Sequence, residues 1–160
     1  MTDFRPSEGR KAQILALKAV PIDTPAEHAN TEWVEIMAIE DGDVANWRLM
    51  QLRPMWVDDV ARPVAWEWVY TFGSPAFVRA GEIYRIHSGS RIRAATHPEP
   101  DDLVPGRKHV YAAGPLATAR VRYVAGDYIR LVEAFGAVID EVIVVAPVKG
   151  AEPARTEKTA

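Results

Sequence analysis

From Thr31 to Ile39 the chain reads TEWVEIMAI, two carboxylates set three positions apart in an otherwise apolar run. As a strand, this run sends Glu32, Val34 and Ile36 to one face and Trp33, Glu35 and Met37 to the other. Each face then carries one carboxylate. A buried, unpaired carboxylate is costly, so Glu32 is expected at the strand's entrance and Glu35 on a partly solvated face beside Trp33. Side chains on opposite faces cannot serve one substrate atom as an acid–base couple, and the pair is read as part of a sheet.

Strand-like segments continue on both sides of this run. They are KAQILALKAV (11–20), NWRLMQLR (46–53), VAWEWVYTF (64–72), EIYRIHS (82–88), KHVYA (108–112), ARVRYV (119–124), DYIRLVEA (127–134) and AVIDEVIVV (137–145). The first has good helix formers but neither a capping residue nor a glycine before Pro21, and is read as strand. Turn chemistry separates the segments: EDGD at 40–43, GSP at 73–75, Gly81, HPEPDD at 97–102, Gly106, Gly126 and Gly136. Few stretches place apolar residues at helical spacing, and no repeat of 20–50 residues is present. The spacing predicts an all-β chain, an antiparallel sandwich or barrel of about eight or nine strands. Residues 1–10 and 148–160 are polar and expected to be loose, leaving one domain over 11–147.

The 160 residues include no cysteine, which excludes a disulfide framework, a thiolate nucleophile and a thiolate zinc site. The first ten residues hold no apolar core of the signal-peptide kind and no run reaches the roughly 18 apolar residues of a membrane span. A cytoplasmic protein without membrane attachment is the expectation. Net charge is −3, which argues against coating nucleic acid by bulk charge. The distribution is uneven: 7 Lys/Arg against 12 Asp/Glu up to Val78, then 9 against 5 from Arg79 to Arg130.

The order of segments resembles the lamin-tail domain, an immunoglobulin-like sandwich. TEWVEI (31–36) is similar to its early strand, and NWRL (46–49) to its Gly-Trp-x-Leu step, with Asn46 where glycine is usual. YTF (70–72), AGEIYRIHSGS (80–90) and AGDYIRLVEAFGAVID (125–140) resemble its aromatic strand, its Pro-Gly-Glu segment and its closing hairpin. The similarity spans roughly 12–146, with a poor match over 91–118, and Tyr123 is the aromatic nearest to where the family often has Trp. The resemblance implies an immunoglobulin-like β-sandwich that recognises protein partners or nucleic acid, with no settled reaction and no cofactor.

Strict alternation would line up Val64, Trp66, Trp68, Tyr70 and Phe72 on one side of a strand. Such an apolar strip belongs in a core with Trp47, the alternative being an aromatic platform for a sugar or peptide. Trp47, Tyr70 and Phe72 are the expected core anchors. Chemistry is sparse. No nucleophile motif, phosphate loop or metal spacing occurs; His87 and Ser88 fall on opposite faces of a strand, and His28, His87, His97 and His109 are scattered. EDGD is too short for a calcium loop and reads as a turn at Asp41-Gly42. The basic residues carry the remaining candidate site. Arg85 and His87 share a face, as do Arg120 and Arg122, while Arg91 and Arg93 follow in the loop GSRIRAATH. If they converge they would hold phosphates; otherwise their stems cover apolar strand surface. The expected function is a non-catalytic binding module for a protein partner or nucleic acid, with a structural subunit of a larger assembly or a hydrolase-type enzyme as alternatives.

Overall fold

The computed structural model describes residues 11–21, 23–113, 123–145 and 157–158; for 26, 54–57, 61–68, 157 and 158 only the backbone is described. Two sheets face one another. The first runs in the order β1 (Ala12–Lys18), β2 (Trp33–Ala38), β7 (Ile83–Ser90), β8 (Lys108–Ala113). The second runs β11 (Glu157–Lys158), β10 (Val138–Ile143), β9 (Tyr128–Val132), β4 (Arg48–Val57), β5 (Val60–Thr71). Two short strands, β3 (Gly42–Asp43) and β6 (Phe77–Val78), pair at one end. In chain order the long strands reproduce an immunoglobulin-like sandwich: β1, β2 and β7 take the places of A, B and E, and β10, β9, β4 and β5 those of G, F, C and C′. The fold is all-β, as the turn spacing predicts.

Between the sheets lie Ile14, Val34, Ile36 and Ile86 from one side and Leu49, Ile129, Leu131 and Val142 from the other. Each of the larger ones contributes roughly 1.5–3 kcal/mol of apolar burial. Trp47 and Phe72 are buried with them, and Tyr70 is half-buried against Phe72, ring centroids 5.2 Å apart and edge-on. Asn46 sits at φ 63°, the left-handed region in which asparagine is the best tolerated substitute for glycine. Asp58 and Asp59, at φ 51° and 61° between the paired Val57 and Val60, make the two-residue turn of the β4–β5 hairpin. Asp127 explains why a Gly-Asp step opens β9: its buried carboxylate accepts Val124 N–H at 2.9 Å and the Gln51 amide at 2.7 Å.

Several expectations need correction. Glu32 does stand at the entrance of β2, yet it is buried, accepting the Ser88 hydroxyl at 3.1 Å and the Val20 and Tyr123 N–H groups at 3.3 Å each. A bulge leaves Val69 unpaired between Tyr70, opposite Leu49, and Trp68, opposite Met50, so alternation is interrupted where the aromatic strip required it. Arg91–Thr96 is not loop but a short helix, α1, begun by the Ser90 hydroxyl accepting Arg93 N–H at 3.1 Å. Gly42 and Asp43 pair as a short strand instead of making only a turn. One pair, β7 with β8, is parallel, against the all-antiparallel expectation. Glu157 and Lys158, within the expected loose tail, pair with Ile143 and Val142. Residues 1–10, Arg120 and Arg122, most of the expected strand 119–124, and the side chains of Val64, Trp66 and Trp68 lie outside the described residues.

Candidate functional site

The parity that buries Val34, Ile36 and Ile86 turns Trp33, Glu35, Arg85, His87, His109 and Tyr111 to the outer face of the first sheet. Cross-strand register then brings them together: Trp33 lies opposite His87, Glu35 opposite Arg85, Arg85 beside His109 and His87 beside Tyr111. This face is not solvated. The connection from α1 to β8 crosses it as a strap, whose single turn of 3-10 helix, Pro100–Leu103, is held by a reciprocal cap: Asp102 accepts Glu99 N–H at 2.8 Å, and Asp102 N–H bonds back to Glu99. A second 3-10 turn, Ala26–Thr31, packs beside it.

Beneath the strap, Glu35 accepts Arg85 Nε–H at 2.9 Å and also Arg107, while Arg85 donates to the Asp101 carbonyl at 3.0 Å. The Arg85 guanidinium stacks 3.8 Å from the Trp33 ring, and Trp33 Nε1–H donates to the Asp101 carboxylate at 2.8 Å. Lys18 reaches the same carboxylate at 3.0 Å. Asp102 accepts the Tyr111 hydroxyl at 3.0 Å. His87 is in contact with the Asn30 carbonyl through Nδ1 at 2.7 Å and with His109 Nδ1 through Nε2 at 2.8 Å. Burial holds the His87 imidazole down to about 4. The Tyr111 hydroxyl is pushed up, first by burial and then by Asp102.

Arg85 and His87 therefore do not belong to a phosphate-contacting face: they are 5% and 0% exposed, and their polar atoms are committed to Glu35, Asp101, Asn30 and His109. Glu35, expected on a partly solvated face, is 2% exposed because the strap lies over it. Arg91 and Arg93 are separated from that pair, on α1 at the sheet's border.

There a groove of about 490 Å³ opens between α1 and the end of β8. Val110, Ala112, Tyr70 and Tyr111 line it, with the exposed Arg91 and Ile92 at its lip. Arg91 is exposed and its positive charge acts on both phenols, opposing the rise that burial imposes on them. Among the described residues β8 pairs with β7 on one side and with no strand on the other.

The sequence reading missed Asp101, Asp102, Arg107, His109 and Tyr111. Two signals were available: the matching parity of polar residues on three strands, and the Glu99-Pro100-x-Asp102 spacing of a capped turn. Among the described residues no three metal-ligating side chains gather as a metal site would need, and no helix is long and apolar enough to cross a membrane. No family model and no curated protein matches the chain.

Proposed function

We propose that this protein is a non-catalytic interaction module of the lamin-tail type, and that it binds a protein partner through an extended segment laid beside β8. The observation that carries the reading is the edge of β8 that pairs with no strand among the described residues, with the groove next to it. A strand added there would pair with the main-chain groups of that edge while one of its side chains enters the groove, which has the size of an ordinary small binding site. Arg91 at the lip favours a segment carrying a carboxylate, which guanidinium groups hold well. Nucleic acid is the weaker reading, because Arg85 and His87 are withdrawn from the surface.

A displayed library of extended heptapeptides with one fixed Asp or Glu tests this on the full chain. Enrichment of a defined set, lost at least tenfold in Arg91→Glu and Ile92→Asp proteins that keep the wild-type circular dichroism, supports the proposal. The same set binding both variants equally, or no set at all, overturns it. Mixed-sequence duplex DNA at low salt is the counter-probe. Binding that weakens with a slope near −0.9 per phosphate contact on log–log axes, and is removed by Arg91→Glu with Arg93→Glu, would favour nucleic acid instead.

A further inference from the structure

We propose that His87 and His109 hold one proton between them, forming a buried monocation that clamps the strap onto the sheet and loosens it when that proton is lost. The argument is a count of protons. His87 Nδ1 lies 2.7 Å from the Asn30 carbonyl oxygen, which can only accept, so this nitrogen bears a hydrogen. His109 Nε2 lies 2.8 Å from the Val104 carbonyl oxygen and bears one for the same reason. Two neutral rings have then no hydrogen left, yet His87 Nε2 and His109 Nδ1 face each other at 2.8 Å. Two bare lone pairs repel at that distance, and two N–H groups clash. One proton, a third for the pair, is the number that fits. The rings are inclined by only 20° with centroids 5.1 Å apart, a spacing that suits a hydrogen bond lying in both ring planes.

The surroundings supply the counter-charge. Asp102, on the strap, is nearly fully buried, and among the described residues His87, 3.8 Å away, is the basic group within ion-pair reach of it. Of the other charges near the pair, Glu35 is shared by Arg85 and Arg107, and Asp101 lies against Lys18 at 3.0 Å and Arg85 at 4.0 Å. Tyr111 faces His87 as a neutral phenol donating to Asp102, and Arg91 lies beyond it on α1.

Deprotonation on the alkaline side leaves two lone pairs in contact and Asp102 without its counter-charge, loosening the strap at Asp102 and Val104. Nitrogen-15 NMR of the histidine rings in the full chain reads this directly. At pH 7 three of the four ring nitrogens of His87 and His109 should be protonated, with a scalar coupling across the Nε2–Nδ1 contact; one proton and the coupling should disappear together as pH rises. Two protonated nitrogens at pH 7, or four, overturn the proposal. A His109→Gln protein should keep the fold and lack the alkaline transition in the Asp102 and Val104 amide shifts; a folded variant that retains the transition also overturns it. If that variant does not fold, the wild-type nitrogen count decides alone.

Discussion

Removing the carboxylate of Glu35 would strip Arg85 of its closer ion-pair partner, leaving Asp101 at 4.0 Å, in a place where water cannot replace it. Breaking a buried pair from one side typically costs 3–5 kcal/mol, so Glu35→Ala is expected to lose about that much in urea unfolding, with Arg107 losing its anchor as well. Gly89 makes a second, steric prediction. A Cβ there would stand 2.2 Å from Asn30 Oδ1, and Asn30 is fully buried with its amide nitrogen bound to the Ser90 carbonyl at 3.1 Å. Gly89→Ala should therefore destabilise by roughly 1–3 kcal/mol, as overpacking does, and displace the Asn30 signals in an NMR spectrum. Both residues show what a sequence holds at this scale. Alternation placed Glu35 with Trp33 and Arg85 with His87 correctly, because parity is a local property of a strand. Whether a face meets water or a strap is decided by Asp101, 68 positions from Trp33 and 16 from Arg85, and parity carries no trace of it.

Single elements differ in how much they depend on their own residues. The six residues of α1 are too few to hold together on propensity, so the Ser90 cap is a large part of what starts the helix. Ser90→Ala is expected to cost about 1 kcal/mol and to shift the Arg91 and Ile92 resonances at the groove's lip. The step into β4 is different. Trp47, 6% exposed, packs between both sheets, and Trp47→Ala should cost about 3–5 kcal/mol in denaturant unfolding. Long strands were legible from their turns: β1, β2, β4, β5, β7, β8, β9 and β10 all fall within a few residues of the segments marked by Gly, Pro and Asp. The bulge at Val69 was not, since an extra residue on one strand is defined only by the partner it fails to oppose. Neither was α1, which follows from one hydroxyl and not from a periodic pattern.

At the scale of the whole molecule, His87 makes one contribution to acid stability. Its folded value of about 4 lies below the ordinary 6.5, so as pH falls between the two the unfolded chain takes up a proton that the fold refuses. The contribution is fully present above pH 6.5 and is lost on the way down to pH 4, on the order of 3 kcal/mol. Chemical unfolding across this range should show the slope, and His87→Gln should flatten it. The parallel β7–β8 pair has a wider consequence. A parallel neighbour cannot be reached by a hairpin, and the crossover that delivers β8 is the same chain that becomes α1 and the strap. Edge strand, helix and polar cover are thus one continuous stretch, added to a sheet whose β1, β2 and β7 already pair without it. Such a stretch can detach as a single cooperative unit while the sandwich persists, so amide hydrogen exchange in Lys108–Ala113 and the strap should share one opening free energy, smaller than that of the β2–β7 ladder.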